Sequence, residues 1–315
     1  MSAPASDNRI HIALTFDDNF WAPAYATMRS ICLTTRRRSD LVFHLCHRPL
    51  SAEHRADIEG IAAEFGAELH FYDLTQTPKF RELMGRVPFH KRLTDIVYAR
   101  FVLDSFLPED VRKVIYLDCD MMVMAPIEEL WEADLGGKPA GAVPDPWGKL
   151  IGSGRDLRTT SDLLDPSDPY FNAGLLVIDI DGWREIDVFS RLVALIESGA
   201  IDRLSFSQNV INLILKNNWQ PLDALWNIVD PNAAHVALSP KNLHYTGNTR
   251  PWTLTARLRG VGYARIYRHM MTNALFYRFW RYRMKKQLGK YLPFVGTGPG
   301  SRPSSTQRPA TPPAA

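Results

Sequence analysis

The sequence predicts an α/β fold built on a mainly parallel sheet, and three observations carry that expectation. Apolar runs of strand length alternate with helix-length segments through roughly the first hundred residues, the pattern left by right-handed crossovers between parallel strands. With 315 residues of which 45% are hydrophobic, the chain can bury one large core, which excludes a wholly disordered or fibrous protein. Finally, the run Val114-Ile115-Tyr116-Leu117 leads directly into Asp118-Cys119-Asp120, so a buried strand delivers two carboxylates to the C-terminal edge of the sheet. That edge is where open α/β sheets bind ligands.

Taken in order, Ile10 to Phe16 is apolar throughout and reads as a strand buried on both faces, and Ala22 to Leu33 as the helix that follows it. Leu41 to Cys46 is the second strand, Ser51 to Phe65 a helix with a weak start signal in Ser51-Ala-Glu-His, and Ala67 to Tyr72 the third strand. Asp95 to Phe106 reads as a helix stopped by Pro108, and it precedes the strand with the paired aspartates. Ala140 to Val143 and Gly174 to Ile178 are further strands, separated by a polar loop from Pro144 to Pro169 whose length suggests that it binds something or is disordered. Trp183 to Ile196 and Ser207 to Lys216 complete the helices of a core domain over 9–252.

Beyond the core, Asn273 to Tyr291 is aromatic and basic, with Phe276, Tyr277, Trp280, Met284 and Leu288 on one helical stripe. Arg278, Arg281, Arg283, Lys285, Lys286 and Lys290 occupy the remainder, the form of an interfacial helix whose apolar side enters the headgroup boundary of an anionic membrane. The plainer alternative is that the stripe packs on the protein's own core. This gives a basic amphipathic, membrane-associating extension over 253–292, followed by a Pro-rich tail over 293–315 with too little apolar surface to order.

Charge follows the same division. The 14 basic residues from Lys241 onward leave 23 of the 37 before it, against 34 acidic residues, so an acidic body carries a basic end that should meet something anionic. No nucleic-acid module is visible, so a membrane surface is expected and nucleic acid is not. Cys32, Cys46 and Cys119 are odd in number and lack any CxxC spacing, which argues against a disulfide framework or a structural zinc site. With no signal-peptide pattern and no run of about 18 apolar residues, the expected location is cytoplasmic, peripheral at the inner face of the membrane.

Aspartates at i and i+2 point the same way while Cys119 faces away, so Asp118 and Asp120 are presented together toward one cation, and a cation of this kind suits a phosphate-bearing substrate. Further motifs surround them: Thr15-Phe-Asp17-Asp18-Asn19 ends the first strand, Tyr98-Ala-Arg100 precedes the aspartate strand, Phe171-Asn172-Ala173-Gly174 opens a later one, and His244-Tyr-Thr-Gly247-Asn-Thr-Arg250-Pro-Trp252 closes the domain. In this order and over Ile10 to Trp252, the chain resembles glycosyltransferase family 8, the retaining enzymes that include bacterial lipopolysaccharide galactosyl- and glucosyltransferases and glycogenin.

The resemblance implies a GT-A type fold, a Rossmann-like mixed sheet flanked by helices, here with a basic aromatic helical extension. It implies Asp118, Asp120 and His244 as metal ligands, and this oxygen and nitrogen set suits Mn²⁺ better than Mg²⁺. It further implies that Thr15, Asp17 and Asn19 serve the uridine of a UDP-sugar, where an ordinary turn would also account for them, and that Gly247 and Arg250 bind its pyrophosphate. Arg100 would contact the donor, or else form a structural ion pair. Asp145, Asn172 and Ala173 would line the sugar and acceptor pockets, and Gln208 would lie near the anomeric carbon. Family members commonly flank that Gln with aspartates, whereas this chain has Ser207 and Asn209. A neutral amide is a poor nucleophile, so the expectation is that Gln208 stabilises positive character at the anomeric carbon rather than attacking it. The function expected is metal-dependent transfer of a hexose from a UDP-sugar to a glycan or glycolipid, such as a lipopolysaccharide core. A non-catalytic nucleotide-sugar binder of the same fold is the alternative, and a haloacid dehalogenase-like phosphatase fits poorly because Asp118 lies far from the start and position 122 is Met.

Overall fold

The structure, a computed structural model, describes residues 9–146, 162–165, 167–204, 207–248 and 250–291, of which 89–94, 290 and 291 are described by their backbone alone. The expected binding loop between Pro144 and Pro169 lies largely, and the expected disordered tail wholly, outside these residues.

Seven strands form the main sheet: β1 (Ile10–Phe16), β2 (Leu41–His47), β3 (Glu68–Asp73), β4 (Lys113–Leu117), β6 (Ala140–Pro144), β7 (Phe171–Asp179) and β8 (Gln220–Pro221). Their order is β3-β2-β1-β4-β7-β6-β8. The first four are parallel, as the strand and helix alternation requires, and β7 then runs antiparallel to both β4 and β6. The sheet is therefore mixed. A second sheet holds β5 (Met121–Val123), β10 (Asn242–His244) and β9 (Ile228–Val229), in the order β5-β10-β9.

Side chains that alternate along the central strands divide the core into two layers. Ile12, Leu14, Ile115 and Leu117 enter the layer beneath α1 (Trp21–Thr34) and α2 (Ala52–Phe65), while Ala13, Val114 and Tyr116 enter the opposite one. α2 starts where the sequence suggests: the Ser51 hydroxyl accepts from the His54 N–H at 3.2 Å, and Gly66, at φ 72°, closes the helix in the left-handed conformation.

Two helical expectations change. The segment expected as an α-helix over Asp95 to Phe106 is part of a 3-10 helix, Phe89–Ser105. Residues 98–103 are buried in succession, so this stretch has no solvent face, and its path follows the space between β1 and the helices opposite rather than its own periodicity. The helix expected over Trp183 to Ile196 is two, α5 (Ile180–Glu185) and α6 (Val188–Glu197). Asp187 breaks it at φ 46°, and its carboxylate caps the new helix by accepting from the Ser190 N–H. α8 (Ser207–Leu215) forms as expected, and the shorter helices α3 (Pro78–Arg86), α4 (Glu128–Trp131) and α7 (Ala200–Arg203) lie between these elements.

The C-terminal helices α9 (Ala264–Met271) and α10 (Asn273–Tyr291) join the α1 layer of the core. Leu275, Phe276 and Phe279 are buried there, and Trp21 meets the rings of Phe279 and Tyr282 edge-on at 4.9 Å. Arg278 adds ion pairs to Glu53 and Asp57 of α2. Phe276 thus leaves the expected outward stripe and packs inward, while Tyr277, Met284 and Leu288 remain exposed.

Candidate active site

One change of sheet assembles the site. Past the end of β4, the Asp118 N–H continues the ladder to the Gly174 carbonyl at 2.8 Å; Cys119 turns inward, its Sγ 3.4 Å from the Thr15 carbonyl. The chain then enters β5, which pairs with β10 so that Met121 faces His244, and the Tyr245 N–H bonds the Asp120 carbonyl at 2.9 Å. The result is that ligand-capable atoms of Asp118, Asp120 and His244 lie within 4.8 Å of one another.

The orientation of His244 follows from a backbone group. The Gly174 N–H donates to Asn172 Oδ1, which also accepts from Asn227 Nδ2; Asn227 Oδ1 must therefore face His244 Nδ1, at 3.1 Å. Nδ1 carries the proton, and the Nε2 lone pair is left pointing at Asp120 Oδ1, 3.2 Å away, with Asp118 Oδ2 at 3.9 Å. Among the described residues Asp120 Oδ1 is buried without a hydrogen-bond partner, consistent with two acceptors facing each other. Something positive must settle that contact. Burial disfavours the imidazolium, but Asp120 and Asp118 outweigh it and raise the His244 pKa above the ordinary histidine range. Burial likewise disfavours the Asp120 carboxylate, yet His244 and Arg250 hold its pKa below the usual carboxylate value. Two carboxylates, an imidazole nitrogen whose proton a metal would displace and a buried Asp120 oxygen fit a divalent cation.

Gly174 is part of this fit. A Cβ there would stand 2.3 Å from His244 Cε1 and 3.0 Å from Asp118 Oδ2, so the imidazole lies directly on the backbone of β7.

Two cavities meet at the carboxylates. One of about 350 Å³ is lined by Thr15, Asp17, Phe20 and Arg48 among others, and one of about 650 Å³ by Arg100, Asn172, Ala173, Gln208 and His244; Asp118, Asp120 and Arg250 line both. Arg250 reaches Asp120 Oδ2 at 2.6 Å. Arg100 is buried, donates to the Ala173 and Val97 carbonyls and pairs with Asp118 Oδ1 at 3.1 Å, so it joins the 3-10 segment, β7 and the aspartate turn. In that sense the structural ion pair is present, and its guanidinium still lines the larger cavity.

Gln208 has both ends of its amide fixed: Oε1 accepts from the Ala173 N–H at 3.2 Å, and Nε2 donates to Asp145 Oδ2 at 2.7 Å. The acid missing beside Gln208 in sequence is thus supplied in space by Asp145, which also accepts from Asn172 Nδ2. Asn209 points into the core, bonded to the Tyr170 hydroxyl.

Three expected residues stand apart from the two cavities. Asn19 caps against Asp17 and meets α10, its Oδ1 accepting from the Tyr282 hydroxyl and Lys286. The Gly247 N–H is bonded to Asp230 Oδ1 at 2.7 Å, whereas its neighbours Thr246 and Asn248 line the larger cavity. Asp145 lies behind Gln208. Sequence reasoning passed over Asn227, Asp230 and Tyr116, whose hydroxyl bridges Thr15 Oγ1 at 2.9 Å and Asp118 Oδ1 at 2.8 Å. A tyrosine inside a wholly buried strand needs such a partner, and a lone amide within Ala224–Val229 is a similar signal.

Comparison with known proteins bears on the fold and the family. General stress protein A of Bacillus subtilis is 21% identical over 264 residues, covering 78% of this chain and 88% of that protein. The lipopolysaccharide 1,3-galactosyltransferase of Salmonella typhimurium is 23% identical over 267 residues, covering 78% and 73% respectively. The crystal structure of the galactosyltransferase LgtC with donor and acceptor sugar analogs matches with a TM-score of 0.68 at 22% identity, over 83% of this chain and 95% of that one, which establishes the GT-A type fold. A family model described as glycosyl transferase family 8 matches residues 11–256, and the chain belongs to that family.

Proposed function

We propose that this protein is a metal-dependent, retaining hexosyltransferase that moves a hexose from a UDP-sugar to a glycan acceptor, a lipid-linked saccharide such as a lipopolysaccharide core. The observation that carries the reading is the junction: Asp118, Asp120 and Arg250 stand where the two cavities meet, with His244 closing the ligand set. The smaller cavity suits the nucleoside and the larger the sugar and acceptor. The imidazole nitrogen favours Mn²⁺, with Mg²⁺ the alternative.

A bound cation supplies positive charge against the diphosphate leaving group. Arg250 adds a planar fork on the same group, and Arg100 holds Asp118 and the Ala173 carbonyl in place. Gln208 and Asp145 form one hydrogen-bonded unit, so the amide presents its dipole, with a carboxylate behind it, to positive character at the anomeric carbon. A glycosyl adduct trapped on Asp145, or on any residue from 205 to 212, would overturn this stabilising role in favour of double displacement.

The exposed Tyr277, Met284 and Leu288 with the basic Arg281 and Lys285 suit an anionic membrane surface, which would place the enzyme in the cytoplasm at the inner face of the membrane beside a lipid-linked acceptor. Among the described residues no helix is long and apolar enough to cross a membrane. The test is Mn²⁺-dependent UDP release from individual UDP-sugars. Asp120→Asn should lower turnover by about 100-fold or more. UDP binding with neither hydrolysis nor transfer for any sugar would favour a non-catalytic binder.

A further inference from the structure

A third cavity, of about 300 Å³, lies between the turn after β1 and α10. Its described walls are Asn19, Phe20, Arg250, Trp252, Arg283 and Lys286, together with Phe279, Tyr282 and Gln287, and no acidic residue is among these. Lys286 bonds Asn19 Oδ1 and Arg250 bonds Asp120. Arg283 differs: among the described residues it makes no hydrogen bond or ion pair, and its guanidinium contacts the ring of Phe279 at 5.7 Å. Burial, and after it the charge of Arg250, depress its pKa below the ordinary arginine value. Trp252, on the same wall, has a buried indole N–H with no partner among the described residues.

A half-buried guanidinium facing a second one is unfavourable unless an anion answers it. The imbalance grows when a cation engages Asp120, because Arg250 then shares its carboxylate with that cation. Arg250 and Phe20 also line the cavity that suits the nucleoside, so an anion answering Arg283 would sit next to the donor.

We propose that Arg283, with Lys286 and Arg250, forms an anion subsite that takes a phosphoryl group of a substrate held in the neighbouring cavities. α10, which carries Arg283 and Lys286, lies beyond the segment matched by the family, 11–256, whereas Arg250 lies within it. The phosphoryl group belongs either to the nucleoside diphosphate, in which case the subsite rests on the donor reading above, or to a phosphorylated acceptor, in which case it does not.

Isothermal titration of the full chain with Mn²⁺ separates these, using UDP, uridine, and inorganic phosphate added to UDP-saturated protein. If the donor is the source, Arg283→Gln weakens UDP by about tenfold and leaves uridine unchanged. If the acceptor is the source, UDP is unchanged and the Arg283→Gln variant loses phosphate binding to the UDP-loaded protein. Arg283→Lys should restore either effect to within a few-fold, and Lys285→Gln, an equal charge change on the exposed side of α10, should produce neither. Because the substitution removes repulsion with Arg250, unliganded Arg283→Gln should melt at or above the wild-type temperature, so a loss of binding is not a loss of fold. Arg283-dependent phosphate binding in a wild type that binds no uridine nucleotide would remove the uridine donor and keep the subsite. Unchanged UDP and phosphate binding in Arg283→Gln, or equal weakening in Lys285→Gln, would overturn the subsite.

Discussion

At Gly174 the missing side chain is a structural requirement, since the imidazole of His244 occupies the space of its Cβ. Gly174→Ala should therefore push His244 off its axis and weaken Mn²⁺ by about 10–100-fold, read by metal titration; an unchanged Mn²⁺ affinity would mean His244 is not a ligand. Asn227 acts one step further out. Replacing it by Leu removes the acceptor that holds the proton on Nδ1, and Mn²⁺ affinity should fall by about tenfold, while Asn227→Asp, which keeps an acceptor there, should retain more of it. The carboxylates were legible as an i, i+2 pair at the end of a strand, and His244 and Arg250 through the resemblance carried by the motifs around them. Asn227 was not, because its part begins at the Gly174 N–H and passes through Asn172, a path with no local sequence pattern. Asp145 and Gln208 were each expected at the site, but not their pairing, which joins residues 63 positions apart.

At the scale of elements, the parallel half of the sheet and its crossover helices could be read from period and length, because long apolar runs leave little choice of state. The short strands β5, β9 and β10 could not, being two or three residues each and defined by partners distant in sequence. α10 shows why a helical stripe is ambiguous: it has two apolar sides, Leu275, Phe276 and Phe279 toward the core and Tyr277, Met284 and Leu288 outward. The two sides predict different phenotypes. Phe279→Ala should cost about 3–5 kcal/mol in urea unfolding, as for a fully buried ring. Met284→Glu with Leu288→Glu should leave the unfolding midpoint near wild type but reduce co-sedimentation with anionic vesicles, and unchanged sedimentation would rule out this face as the membrane contact.

The molecule as a whole carries an acid-sensitive seam. His11, His44 and Tyr72 link β1, β2 and β3 through hydrogen bonds of 3.0 Å each, and His44 is fully buried. Burial, reinforced by His11, His70 and Arg9, lowers the His44 pKa to about 3 from 6.5. The unfolded chain thus binds a proton that the folded chain refuses. Stability from this group is complete above about pH 6.5 and declines as the pH falls toward 3, by about 2 kcal/mol between 6.5 and 5. Urea melts at the two pH values should show that decline, and His44→Gln should flatten it; an equal slope in the variant would exonerate His44. The hydrogen bonds from Tyr282 and Lys286 to Asn19 have a different consequence for the molecule as a whole. A helix that both walls the core and holds Asn19, in the turn after β1, is not an exchangeable address label. Grafting a generic lipid anchor in its place would relocate the protein while stripping Asn19 of two of its contacts, so the chimera would be expected to reach the membrane with a damaged active site.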